Sequence, residues 1–204
     1  MKQTEEAERL NYKKYDREKG TNKMELGTGI KERRSVRRFE ERKIDHAVLR
    51  EIVETARYAP SWKNTQIVGY IVVEDREKIA ALSSEACMAG FSYNCKTVAA
   101  APAVVLAVYE TGISGFEKDG TPSTKKGAGW EMFDAGIAVQ TFCLAAYEKG
   151  LGTVILGYFD EDEIAKAIDI PDGKHIAAVI PMGYPEKMPP APARKEADEL
   201  LTFL

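Results

Sequence analysis

Arg33, Arg34, Arg37 and Arg38 crowd around Ser35 in the stretch Arg33-Arg34-Ser35-Val36-Arg37-Arg38-Phe39. Planar guanidinium forks beside a hydroxyl suit a phosphate, which accepts paired hydrogen bonds from such groups. Further on comes Ala59-Pro60-Ser61-Trp62-Lys63-Asn64-Thr65-Gln66, with two carboxamides and a hydroxyl. Those groups match the hydrogen-bonding edge of a heterocycle. Together the two segments suggest a bound phosphorylated cofactor. Taken singly, the arginines read as a solvated basic helix start, and Asn64 with Gln66 as ordinary turn chemistry. Trp62, Phe116 and Trp130, each alone, read as core or interface residues. Other chemistries find little support. His46 and His175 have no plausible nucleophile beside them, which argues against a hydrolytic triad. Cys87, Cys95 and Cys143, at spacings of eight and 48, fit neither a disulfide framework nor a paired metal site. We expect no metal and no catalytic side chain, as where a cofactor carries the redox chemistry.

Elements of regular structure must hold those segments in place. Asp45 is a helix N-cap ahead of Leu49, Ile52, Val53 and Ala56, an amphipathic spacing that must end near Pro60. That helix delivers the Pro60 to Gln66 segment to a turn. Val68 to Val73 reads as a strand, Asp75 to Ala86 as a helix and Ala103 to Tyr109 as a valine-rich strand. Glu110 to Gly129 holds five glycines without apolar periodicity, the mark of a functional lid or a disordered loop. Trp130 to Lys149 is nearly apolar on all faces and stops at Gly150, so it belongs in the core or in a subunit interface. Thr153 to Tyr158 is a third strand, Asp160 with Glu163 opens a helix through Ile168, and Ile176 to Met182 is a fourth strand. The tail after Pro185 is proline-rich and irregular before Arg194. Alternating strands and helices imply an α/β or α+β domain with a mixed sheet.

Composition sets further bounds. The 204 residues, 44% hydrophobic, suffice for one sizeable core, with residues 1–23 as a charged extension and 24–204 as the domain. A net charge of −3 argues against nucleic acid as a partner. The longest apolar run, Val98 to Tyr109, is too short to span a bilayer, and the N-terminus lacks an apolar signal core. A cytoplasmic location with no membrane partner is the expectation.

Several motifs in order make a stronger signal than any one. After the two segments above come Asp134-Ala135-Gly136-Ile137-Ala138-Val139-Gln140, Gly150-Leu151-Gly152-Thr153, Gly157-Tyr158-Phe159-Asp160 and Gly183-Tyr184-Pro185. From Ile30 to Arg194 the chain resembles the FMN-dependent nitroreductase family. The resemblance implies an α+β fold with a mostly antiparallel central sheet flanked by helices, an intertwined homodimer, and FMN at the interface between subunits. It implies that Arg33, Arg34 and Ser35 hold the phosphate and ribityl chain, with Arg194 as a C-terminal phosphate ligand. Arg37 faces the pyrimidine ring, where a cation favours the anionic reduced flavin. Pro60, Ser61, Trp62, Asn64 and Gln66 come from the other subunit to the ring system, Asn94 hydrogen-bonds it, and Leu156 and Gly157 bring main chain to N5. The chain departs from the pattern at Ile67-Val68, where many members have proline and tryptophan, and at Thr97, where a second basic residue is common.

The activity implied is ping-pong hydride transfer from NADH or NADPH to a small electron-poor acceptor such as a nitroaromatic or quinone. The absence of a GxGxxG fingerprint agrees with a nicotinamide that binds transiently over the flavin. Two alternatives stay open. One is a same-fold enzyme that dehalogenates or cleaves flavin, with Lys118, Lys125 and Lys126 of the lid meeting an anionic or zwitterionic substrate. The other is a non-catalytic FMN-binding module.

Overall fold

A computed structural model of the protein describes residues 24–204; the expected N-terminal extension lies outside them. The elements run α1 (Leu26–Glu32), α2 (His46–Ala56), a 3-10 turn (Trp62–Asn64), β1 (Val68–Val73), α3 (Arg76–Leu82), α4 (Ser92–Ala99), β2 (Ala103–Glu110), α5 (Gly129–Glu148), β3 (Gly152–Thr153), α6 (Glu161–Ala167), β4 (Lys174–Gly183) and α7 (Ala197–Leu200). Three helix starts follow directly from capping aspartates. Asp45 accepts from the Ala47 N–H, Asp75 from those of Glu77 and Lys78, and Asp160 from that of Glu163. Helix α5 ends at Gly150, whose φ of +77° is the left-handed conformation that glycine adopts without steric cost.

The four strands form one sheet in the order β1-β2-β4-β3, antiparallel at every strand pair. Strand β2 lies at its centre, and its side chains alternate between two cores. Val104, Leu106 and Val108 join Ile79, Leu82, Val98, Ile164 and Val179 beneath α3, α4 and α6. Ala103, Val105 and Ala107 join Leu49, Ile52, Phe142 and Ile180 beneath α2 and α5. Because both faces are covered, β2 reads as an unbroken apolar run rather than an alternating one. The architecture is the expected α+β class, a sheet flanked by helices.

The basic cluster does not begin a helix. Arg33 caps the end of α1, and the chain then runs extended along the sheet edge. Ser35 pairs with Thr153 in an isolated parallel bridge, and the Val36 N–H donates to the Thr153 carbonyl at 3.0 Å. Further along, the Glu40 N–H donates to the Tyr184 carbonyl and the Glu186 N–H to that of Arg38. The helix expected to reach Ala86 stops at Leu82. The strand expected over Thr153 to Tyr158 keeps only Thr153 in a ladder, which begins one residue earlier at Gly152, and an isolated pairing of Leu156 with Val179. Helix α4 had no apolar signature because its inward positions include Asn94 and Thr97. The 110–129 loop is ordered, with Phe116 bridged to Pro122 and the Ser123 N–H donating to the Gly115 carbonyl.

The edge pairing needs a residue without a side chain at 152. A Cβ there would lie 2.6 Å from Val36 Cγ2 and 2.7 Å from its Cβ. Gly152→Ala should therefore push the basic segment off the sheet edge and destabilise the fold by about 1–3 kcal/mol, as overpacking does; urea unfolding of the two proteins checks it.

Candidate functional site

The predicted residues fall into two clusters. The first gathers on the sheet edge and α4. Arg34 Nη1 donates to the carbonyls of Lys31 (2.6 Å) and Arg33 (2.9 Å), so this guanidinium is turned back on the end of α1. Arg33 and Arg37 differ from it, because the Nε of each is buried with no hydrogen-bond partner in the chain. Arg37 Nη1 reaches the Ser35 carbonyl at 3.2 Å, and its guanidinium carbon lies 5.5 Å from the Tyr93 ring. Arg33 also acts on the buried Cys143: burial pushes that thiol's pKa up, opposed by the Thr153 hydroxyl and the Arg33 charge.

Asn94, 5% exposed, donates its amide to the Tyr158 carbonyl at 3.0 Å and so fixes the segment carrying Gly157. Leu156 exchanges two main-chain hydrogen bonds with Val179 just before it. Gly157 is exposed, and a Cβ there would meet nothing within 4 Å, so a ligand can approach its backbone closely. Phe91 packs edge-on against Tyr158 and near Tyr93, giving Arg37, Tyr93, Phe91 and Tyr158 a continuous rim.

The second cluster is the turn after α2. Lys63, Asn64 and Gln66 have φ of 45°, 56° and 52°, a left-handed run that costs free energy and must be held by its surroundings. Ser61 holds it from within: its Oγ accepts the Gln66 N–H at 2.9 Å. Outside the turn, the Trp62 N–H donates to both Asp134 oxygens, at 3.0 and 3.1 Å. The Trp62 ring lies 4.6 Å from that of Trp130, which meets Phe133 edge-on. Lys63 pairs with Glu117 of the lid at 3.1 Å, and the Ser123 hydroxyl together with Lys63 lowers the Glu117 pKa. Trp62 Nε1 and Thr65 Oγ1 are buried without a partner.

Among the described residues, no hydrogen bond, ion pair or ring contact joins the two clusters. Arg194 reaches neither; it lies in the exposed tail, where its Nη1 contacts the Ala193 carbonyl. Asp134, Glu131, Ser114 and Tyr93 entered the site without having been singled out as site residues. The available signal was two acids one turn apart, Glu131 and Asp134, on an otherwise apolar helix, since a buried carboxylate needs partners. On the opposite face of α5, Met132, Phe133, Gly136, Ile137, Gln140 and Thr141 line a shallow, open depression. Met132 and Phe133 are exposed on this face. No helix of the described residues is long and apolar enough to cross a membrane.

Comparison with known proteins gives a consistent picture. The nitroreductase family model matches residues 30–184. The crystal structure of a nitroreductase family protein from Clostridium novyi superposes with a TM-score of 0.68 at 32% identity, covering 80% of this chain and 86% of that one. A protein of Methanothermobacter thermautotrophicus, provisionally assigned as an NADH dehydrogenase/NAD(P)H nitroreductase, is 28% identical over 82% of this chain and 81% of its own. A Desulfovibrio desulfuricans protein provisionally assigned as a nitroreductase, crystallised in complex with FMN, shares the fold at 23% identity. Its TM-score is 0.67, over 90% of this chain and 98% of that one.

Two substitutions should separate the buried tie from the exposed one. Asn94→Leu strips the Tyr158 carbonyl of its donor and should cost about 1–3 kcal/mol. Lys63→Met removes an exposed ion pair and should leave the unfolding midpoint almost unchanged. Urea unfolding midpoints measure both.

Proposed function

The chain belongs to the nitroreductase family, and from that premise we propose that it is a homodimeric, FMN-dependent NAD(P)H oxidoreductase that reduces electron-poor acceptors such as nitroaromatics and quinones. One observation carries the reading: among the described residues, four of the five buried side-chain atoms without a partner lie in the two motif segments, Arg33 Nε and Arg37 Nε in one, Trp62 Nε1 and Thr65 Oγ1 in the other, and the fifth, Thr153 Oγ1, sits on the strand that the first segment pairs with. A buried donor left unpaired costs about 1–3 kcal/mol, so such groups point to an acceptor-rich ligand. Phosphate oxygens suit the arginines, and the carbonyl and nitrogen edge of a flavin suits the turn. The residues present therefore fit FMN.

Bound there, FMN would supply acceptance of a hydride from NAD(P)H and its delivery to the acceptor. The protein's part is positioning and charge. Arg33 and Ser35 hold the phosphate end. Arg37, kept near Tyr93, places a positive charge where negative charge develops on reduction, and a partly buried site makes that attraction stronger than water would allow. Gly157 leaves room for close main-chain approach, with Asn94 fixing its segment. Because, among the described residues, the turn holding Ser61, Asn64 and Gln66 makes no hydrogen bond, ion pair or ring contact with the first cluster, we infer that a second copy supplies it. The apolar face of α5 is the surface on which that copy would sit. The same open face serves donor and acceptor in turn, which makes the kinetics ping-pong.

The purified protein should show a flavin spectrum that bleaches on anaerobic addition of NADH or NADPH and returns with a quinone or nitroaromatic. Arg33→Ala should weaken FMN binding about tenfold or more. Arg37→Ala should retain FMN but slow its reduction by NAD(P)H about tenfold, read by stopped flow. A colourless protein that takes up no added FMN would refute the proposal.

A further inference from the structure

Helix α5 is apolar along its length, yet its first two turns bury two carboxylates, Glu131 at 4% exposure and Asp134 at 2%. Each would cost several kcal/mol unless its oxygens were well used. Neither forms an ion pair among the described residues, so neutral donors must satisfy them. Glu131 accepts the Gly112 N–H at 2.6 Å. Asp134 accepts the Trp62 N–H on both oxygens and the Ser114 hydroxyl at 2.7 Å. Those donors come from two separate segments, the 61–66 turn and the root of the 110–129 lid.

We infer that Asp134 is a positioning residue that locks the 61–66 turn to the root of the lid and so sets the acceptor-side wall of the site. The inference rests on the functional reading above for what that wall faces. The turn carries three left-handed non-glycine residues, and a single carboxylate holds its leading N–H. The lid closes on the same point. Ser114 is fully buried against Asp134, and Gly115 packs so near that a Cβ would lie 2.8 Å from the Trp130 ring. Trp130 in turn donates its indole N–H to Thr124 of the lid at 2.9 Å. Asp134 therefore fixes the Trp62 and Trp130 rings against each other as well as the two backbones.

These are the chain's two tryptophans, so their exciton-coupled circular dichroism reports the lock without ambiguity, with or without FMN. Asp134→Asn should keep the couplet, since Asn Oδ1 accepts from Trp62 N–H and Nδ2 donates to Ser114 Oγ. Its quinone KM should stay within about twofold of the parent. Asp134→Ala should lose the couplet and raise the quinone KM about tenfold while kcat changes by less than about twofold. Ser114→Ala, which frees the lid root alone, should weaken the couplet and raise the quinone KM by about threefold to fivefold. An unchanged couplet and quinone KM in folded Asp134→Ala would overturn the inference. Should Asp134→Ala fail to fold, Ser114→Ala decides, and an unchanged couplet and quinone KM in it would overturn the inference equally. Loss of the couplet in Asp134→Ala, with the unmutated protein itself taking up no FMN, would sink the functional reading instead and leave the lock standing.

Discussion

The hydrogen bond from the Val36 N–H to the Thr153 carbonyl is the constraint on which the site depends. Charge alone would leave five basic residues from Lys31 to Arg38 in water, where their hydration is best. Main-chain pairing with the short strand β3 overrides that preference and holds the segment against the sheet. Val36 and Phe39 are then buried in the core beneath α3, α4 and α6, while Arg33 and Arg37 keep an Nε shielded from solvent and unpartnered. The pairing is possible because residue 152 has no side chain to meet Val36. The proposed ligand-binding edge is thus built from backbone geometry first and from side-chain charge second.

The second half of the site obeys a different rule. Its turn adopts backbone conformations that cost free energy, and it persists because Ser61 ties it internally while α5 ties it externally. Helix α5 holds the turn and lid on its buried face and presents Met132, Phe133 and Ile137 to the outside. In the proposed dimer, that one helix would place both the turn and the subunit contact, so the position of the turn relative to the partner's arginines would follow from helix packing rather than from a flexible loop.

Much of this could be read from the residues. Asp45 and Asp160 declared their helices, Val68 to Val73 its strand, and Gly150 the end of α5, because capping and left-handed turns are local chemistry. What escaped was non-local. Helix α4 turns Asn94 and Thr97 inward, which removes the apolar periodicity by which a helix is recognised. Strand β3 is short: only Gly152 and Thr153 form a continuous ladder with β4, and Leu156 meets Val179 as an isolated bridge. A basic run has no period, so nothing in Arg33 to Arg38 distinguished an extended edge from a helix start. The lid looked structureless because part of its order comes from contacts such as Ser114 with Asp134 and Lys63 with Glu117, whose partners lie 20 and 54 residues away in the sequence.

The central claim is that each flavin site is assembled from the arginine edge of one copy and the 61–66 turn of another. The direct measurement is flavin stoichiometry in mixed dimers. One chain would carry Arg33→Ala with Arg37→Ala, and the other Asn64→Ala with Gln66→Ala. Neither homodimer should retain FMN, whereas the purified mixed dimer should hold about one FMN, since one of its two sites combines both intact halves. A mixed dimer as empty as its parents, from a protein whose unmutated form binds FMN, would contradict the account and place the whole site within a single chain.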